Sequence, residues 1–353
     1  CFRLYLWTGD QEYINTRSFV NFYGRTINDY AYRWNIQADS VLYRNRIMNL
    51  PEGATPDNHK FYDKRGIPGY YEAAGGKMQV GIDLLAVMYA ANNWFQHYVN
   101  KNKNDDTWLK ESEKIKSIIE NEFWDEEKRK FRLLRYTDGT YAYNVGEGSD
   151  FSYSLLHYKA INDPVMVHSV LNDYILNKRG YNIEIASHLP NIFFKNERPE
   201  DGISMLKYLA DPGTPRRDYP ENPYAIVGAF VTGLMGISPE APSQIIFTYS
   251  GIKDPNGTAM VSELPVMGKK IDLMHRGRHT SILRNHSDEP VFWAPYLYGK
   301  QESWYINGKE ERGFGKVIIH NGYEVTSFLI KVQPGTSASV SAFPPPEPED
   351  AGN

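Results

Sequence analysis

The hydrophobic period of this chain changes once, near Gly236-Ile237-Ser238-Pro239, and that change limits the possible folds more than any other feature. Before it, apolar residues recur every three to four positions. After it, they alternate. Helical and strand-like runs kept apart in this way predict a mainly α domain followed by a β domain. The Pro cluster reaching to Pro242 marks the boundary. This gives an α domain over residues 1–237, a β domain over 243–343 and a Pro/Glu-rich tail over 344–353 that reads as disordered.

Within the α domain, Thr8-Gly9-Asp10 closes a first helix. Glu12 to Trp34 carries helical spacing through Tyr13, Val20, Tyr23, Ile27, Tyr30 and Trp34. Residues 35–77 hold Pro51, Pro56 and Pro68, and an irregular stretch of that length is usually functional. A helix from about Gln79 to Tyr98 is apolar on more than one face, so it is expected to be buried. Thr107 to Phe123 reads as an amphipathic helix, followed by a hairpin of Phe131-Arg132-Leu133 and Tyr141-Ala142-Tyr143. Further helices are expected at about 150–160, 164–176, 201–209 and 222–236, joined by Gly-, Pro- and Asn-rich loops. Paired helices with long loops predict an (α/α) toroid. In the β domain, strands are expected at 245–247, 270–274, 280–283, 291–293, 303–306, 317–319 and 325–328. Asn307-Gly308 and Asn321-Gly322 supply turns, and the whole reads as an antiparallel β-sandwich.

The formal charge of −4, with Lys and Arg scattered, argues against a nucleic-acid or polybasic membrane role. No apolar run reaches the roughly 18 residues a membrane-spanning helix needs. Cys1 is the single cysteine, so neither an intramolecular disulfide nor a Cys-based metal site is expected. No metal or cofactor is implied, and the oligomeric state is not legible. Cys1 could be the lipidated start of a bacterial lipoprotein. Phe2-Arg3-Leu4-Tyr5-Leu6-Trp7 reads instead as packed structure without a tether, which favours a trimmed start. Aromatic residues make up 14%, with 26 Tyr. They suit either a tyrosine-rich core or a cleft where flat rings stack on sugars.

Two segments carry a carboxylate among aromatics at a helix start: Gly69-Tyr70-Tyr71-Glu72 and Asp218-Tyr219-Pro220-Glu221-Asn222-Pro223-Tyr224. Hydrolysis of a glycosidic bond needs one carboxyl to protonate the leaving oxygen and a second to activate water or attack the anomeric carbon. The candidate loop carboxylates are Glu72, Glu147, Asp150, Glu184, Asp218 and Glu221. Each has a plainer reading. Glu147 and Asp150 suit a helix N-cap. Glu184 suits a pairing with a cation, and Asp218 a salt bridge with Arg216 or Arg217. The Arg216-Arg217-Asp218 cluster beside Glu221 could equally hold sugar hydroxyls. Tyr70, Tyr71, Lys77, His188 and Tyr219 complete the set of candidate substrate contacts. In the β domain, His275, Arg276, Arg278 and His279 form a basic cluster that reads as a solvated face or an interdomain contact.

Gly69 to Glu72, Val80-Gly81-Ile82-Asp83-Leu84-Leu85-Ala86, Phe123-Trp124-Asp125-Glu126 and Phe131 together resemble a recurring block of six-hairpin (α/α)6 glycosidases. Trehalases, α-rhamnosidases and processing α-glucosidases belong to that group. Glu221-Asn222-Pro223-Tyr224-Ala225-Ile226-Val227-Gly228 is similar to the segment that carries a Glu near the end of their toroid. The resemblance implies an inverting glycosidase with Glu72 as general acid and Glu221 as general base, and a C-terminal sandwich behind the toroid. The acid lies one residue later than the pattern expects, since Tyr71 occupies the position where Asp is usual, and Leu85 replaces an Asn. Only about four or five of the six hairpins are present, which implies a toroid truncated at its N-terminal side. Inversion requires the two carboxyls about 6.5–9.5 Å apart.

Two other readings compete. A polysaccharide lyase on an (α/α) toroid would use Tyr and His for elimination, with Tyr153, His157, His188 and Tyr219 available and Arg216 and Arg217 as carboxylate binders. A non-catalytic carbohydrate-binding fragment is the other; a phosphorylase fits less well because Glu221 occupies the base position. The expected partner is a carbohydrate, and that substrate class suggests a periplasmic or secreted location.

Overall fold

The computed structural model describes residues 1–24, 78–101, 105–136, 138–144, 150–177, 180–313 and 315–344. They divide into two compact units. The first holds Phe2 and Glu12–His188. The second holds Cys1, Arg3–Gln11 and Leu189 onward.

The chain opens with α1 (Phe2–Thr8), which ends where Gly9 turns left-handed at φ 77 and its N–H bonds the Tyr5 carbonyl. The first unit then follows α2 (Glu12–Asn15), a helical segment at 17–24, β1 (Met78–Gly81), α3 (Ile82–Trp94) and α4 (Thr107–Ile118). Next come β2 (Trp124–Asp125), β3 (Lys130–Phe131), β4 (Leu134–Tyr136), β5 (Tyr141–Ala142), α5 (Tyr153–His157) and α6 (Pro164–Asn177). The following helix, α7 (Ile183–Lys195), begins in the first unit and ends in the second.

α3 is buried as its sequence requires: Ile82, Leu85, Ala86, Met88, Ala90 and Asn92 are all inside. It begins later than its periodicity suggests. Met78 to Gly81 is a strand that pairs with β4, placing Gly81 opposite Leu134, and the Ile82 N–H bonds the Leu133 carbonyl. The cross-strand bonds of the 131–143 hairpin claim these residues before the helix starts.

Much of the aromatic content of this unit is core. Phe2 meets Phe19, Tyr23, Trp94 and Tyr98 at ring-centroid distances of 5.2–5.9 Å. Tyr23 also stacks on Phe95 at 5.4 Å and donates its hydroxyl to the Ala91 carbonyl at 3.2 Å. α4 continues through a single π turn, Ile119–Phe123, into Trp124-Asp125. There Arg132 binds the carbonyls of Glu122 and Trp124 and the Asp125 carboxylate, which also accepts from the Tyr143 hydroxyl. That hydroxyl bond, helped by the Lys128 amide, holds the Asp125 carboxyl below its usual range. The Trp-Asp pair thus ties the helix end to the hairpin.

The second unit continues with α8 (Pro199–Ala210) and α9 (Glu221–Ala229), which ends in another π turn, Phe230–Leu234. Phe194 of α7 packs between two glycines. A Cβ would lie 2.9 Å from its ring at Gly202 and 2.6 Å at Gly233, so glycine at both lets α8 and the π turn close on the ring.

Beyond Gly236 come β6 (Ser238–Glu240), β7 (Ile245–Tyr249), β8 (Thr258–Val266), β9 (Lys269–Arg276), β10 (Thr280–Asn285) and β11 (Val291–Tyr298). They are followed by β12 (Ser303–Ile306), β13 (Lys309–Arg312), β14 (Lys316–His320), β15 (Tyr323–Ser327), β16 (Ile330–Val332) and β17 (Ser337–Ser341). One sheet has the order β13-β12-β17-β10-β9-β8. The other has β14-β15-β11-β7-β6, with β16 also on β11. Trp304 of the first sheet stacks on Phe328, beside β15 of the second, at 5.0 Å, so the sheets share a core. The expectation of a purely antiparallel sandwich is corrected at one pair. β7 and β11 run parallel, with Phe292 opposite Ile245, because the chain crosses to the other sheet for β8–β10 before returning.

Candidate functional site

In the first unit, four chemically capable side chains come from two helices. Tyr153 and His157 lie one turn apart on α5, and Glu184 and His188 one turn apart on α7, so each pair shares a helix face. The Tyr153 ring stacks on His188 at 5.0 Å and 16°, and His157 meets His188 edge-on at 4.9 Å. Tyr153 and Glu184 are buried, while the two histidines are half-buried.

Local bonds set both helices. The Asn182 carboxamide oxygen accepts from the Ile185 N–H at 3.0 Å at the start of α7. The Asp150 carboxylate accepts from both the N–H and the hydroxyl of Ser152, at 2.8 and 2.6 Å, ahead of α5. The buried Tyr174 hydroxyl accepts from the Tyr153 N–H at 3.0 Å and donates to the Asp150 carbonyl at 3.1 Å; burial pushes it well above the usual phenol range. Asp150 therefore serves the start of α5. Glu184, read from the sequence as a loop carboxylate, lies in the first turn of a helix. The run 180–190 hid that helix because it contains Gly180, Asn182 and Pro190.

In the second unit, residues 211–220 form an exposed connection held from beneath. The buried Thr214 hydroxyl donates to the Tyr208 carbonyl at 2.5 Å. The Asn222 side chain, also buried, donates to the carbonyls of Leu209 and Arg217 at 3.2 and 3.0 Å. Arg216 adopts φ 57, and its guanidinium rests over the Tyr219 ring at 4.6 Å. Arg217 and Asp218 are exposed. Glu221 is the first residue of α9 and faces solvent, where the helix dipole favours its negative charge. It lies one residue earlier than the helix start at 222 that the apolar spacing predicts. Tyr70, Tyr71, Glu72, Lys77 and Glu147 lie outside the described residues, as does the carboxyl separation expected of an inverting pair.

The basic cluster of the β domain is a junction with the helical part of the same unit. Arg278 donates to the Glu197 carboxylate at 2.7 Å, and the Tyr298 hydroxyl donates to the other oxygen at 2.6 Å. Arg278 also lies over the Tyr298 ring at 4.1 Å. Arg276 is exposed, and His279 reaches the Pro255 carbonyl at 3.2 Å. His275 is fully buried, with Nε2 3.1 Å from the Met235 carbonyl and Nδ1 2.7 Å from the Ser281 hydroxyl. The carbonyl can only accept, so Nε2 carries the proton and Nδ1 accepts from Ser281 in the neutral ring. Burial lowers the His275 pKa from 6.5 to about 4, against the raising effect of the Met235 carbonyl.

The folded pKa lies below the unfolded one, so folded stability is full above pH 6.5 and declines as acid protonates the unfolded chain first. From pH 6.5 to 4 the loss is expected to reach about 3 kcal/mol. Urea midpoints across that range check it. His275→Gln should flatten the decline, and an unchanged slope would refute the assignment.

No family model matches the chain, and no curated protein matches it. Solved structures do. The chain superposes on an α-L-rhamnosidase from Dictyoglumus thermophilum with a TM-score of 0.50 and 13% identity, over 96% of this chain and 38% of that one. A structure described as a sialidase matches with a TM-score of 0.50 and 13% identity, over 95% of this chain and 32% of that one. The chain thus spans about a third of the length of these proteins. At such identity the likeness is one of fold.

Proposed function

We propose that this chain forms part of a glycoside hydrolase that cleaves O-glycosidic bonds by inversion on an (α/α)6 toroid. Glu221 acts as general base and Glu72 as general acid. The observation that carries this reading is the placement of Glu221. It is a solvent-facing carboxylate on the first residue of α9, beside an arginine-covered tyrosine, in a chain whose fold is shared with a rhamnosidase and a sialidase. An exposed carboxylate there can deprotonate a water, and the reaction also needs an acid to protonate the departing oxygen. The substrate class suggests a periplasmic or secreted enzyme.

The test is hydrolysis of a panel of p-nitrophenyl glycosides (α-L-rhamnoside, α-D-glucoside, α-D-mannoside, β-D-glucuronide), a methylumbelliferyl sialoside and plant and host polysaccharides. Turnover of one sugar class is expected, with NMR showing the first-formed product in the inverted configuration. A retained configuration would rule out the base role. No turnover of any substrate would overturn the reading.

The convergence of Tyr153, His157 and His188 favours one second reading, a polysaccharide lyase. A lyase would take the proton beside a uronate carboxyl and expel the glycosidic oxygen, leaving a C=C bond and consuming no water. Ultraviolet absorbance of an unsaturated uronate product distinguishes it.

A further inference from the structure

Helix α9 turns an unusual face outward. Asn222 and Ala229 are buried, while Glu221, Tyr224 and Val227 are exposed, Tyr224 to 81% and Val227 to 63%. The solvent side of a helix normally carries charged groups. Here a carboxylate is followed one turn later by a bare phenol ring and then by Val227 and Gly228. A Cβ added at Gly228 would meet nothing within 4 Å, so there is open space along the helix beyond the ring. Glu221 and Tyr224 stand three residues apart, which sets their Cβ atoms about 5–6 Å from each other. Gly228 lies about 6 Å further along the axis.

We propose that Tyr224 is the platform on which a pyranose ring of the substrate stacks, with the space beside Gly228 receiving the next part of the glycan. This rests on the reading of Glu221 as the base. The occupant follows from size and polarity. A stable protein partner buries about 800 Å² on each side, far more than two apolar side chains on a nine-residue helix can offer. A sugar ring has one apolar C–H face comparable to a phenol ring and hydroxyls around its edge. The Tyr224 ring matches the face, and Glu221, one turn away, accepts from the edge. The face therefore selects rings with an unbroken C–H surface and disfavours those whose axial hydroxyls interrupt it.

The experiment uses the p-nitrophenyl and methylumbelliferyl panel above and follows kcat and KM of the best substrate. Tyr224→Ala is expected to raise KM about tenfold or more with kcat within threefold, because stacking holds the bound ground state and the transition state alike. Tyr224→Phe keeps the ring and should stay within twofold. Gly228→Leu fills the open space and should raise KM as Tyr224→Ala does. Saturation-transfer NMR should pass magnetisation from aromatic ring protons to the sugar C–H protons in wild type but not in Tyr224→Ala. Tyr224 is exposed, so its loss leaves the core intact, and a thermal melt verifies this. A wild-type enzyme active on the panel with an unchanged KM in Tyr224→Ala would overturn the stacking role alone. A wild type inactive on every substrate would overturn the glycosidase reading and the stacking role with it.

Discussion

Glu221→Gln is expected to lower kcat by about a thousandfold while leaving the fold unchanged, since a positioned general base contributes roughly 10²–10⁴. Glutamine keeps the shape and one accepting oxygen but cannot take the proton from water at neutral pH. The side chain is exposed, so it leaves no cavity, and only its favourable interaction with the start of α9 is lost, about 0.3–1 kcal/mol. Far-ultraviolet circular dichroism and the melting temperature should therefore nearly match wild type. Azide separates a lost base from a lost acid. It attacks the anomeric carbon directly, the leaving oxygen departs with the proton of the intact acid, and a glycosyl azide of inverted configuration forms. Recovery of turnover with that product is the expected result. Activity of Glu221→Gln within twofold of wild type would remove Glu221 from the mechanism.

Glu197→Ala is expected to destabilise the second unit by about 3–5 kcal/mol, the cost of removing one partner from a buried ion pair. The carboxylate is 5% exposed and serves two groups, the Arg278 guanidinium and the Tyr298 hydroxyl. Burial, and after it the Glu197 charge, holds the Tyr298 hydroxyl above its ordinary range, so this phenol stays a donor at every physiological pH. Removing Glu197 leaves both donors without that acceptor in a confined junction. Glu197 sits at φ 58, a left-handed conformation that a non-glycine residue adopts at a cost, which alanine keeps and glycine removes. Glu197→Gly should therefore be less damaging than Glu197→Ala. Tyr298→Phe alone should cost about 1 kcal/mol, and combined with Glu197→Ala it should add almost nothing. Denaturant midpoints measure all of these, and full additivity of the pair would refute the shared junction.

What could be read from the order of residues was whatever depends on a residue and its near neighbours. α3, α4, α6, α8 and α9 follow apolar spacing, and seven strands of the β domain follow alternation and the Asn-Gly turns. Five strands of the β domain escaped, β6, β8, β13, β16 and β17, two of them for evident local reasons. β17 is Ser-Ala-Ser-Val-Ser, whose alternation is legible only through Ala338 and Val340, both buried. β8 carries Glu263 and Pro265, which suit an edge strand with a bulge and look like loop residues in isolation. α7 escaped because Pro190 lies inside it.

The candidate chemistry divides in the same way. Glu221 was visible because an acid among aromatics before an apolar run is a local pattern, and the sequence by itself determined that it would open a helix. The exposure of Tyr224 was not visible, since a tyrosine three residues along a helix is as often core as surface, and only the packing of Asn222 and Ala229 beneath α9 turned it outward. Nor could order alone join Tyr153 and His157 to His188, about thirty residues on, or seat Glu197 between Arg278 and Tyr298 some eighty to a hundred residues away. Helix and strand formation rest on bonds a few residues long, which composition and spacing encode. The meeting of distant side chains depends on how whole elements bury their apolar faces, and the tertiary structure alone decides that.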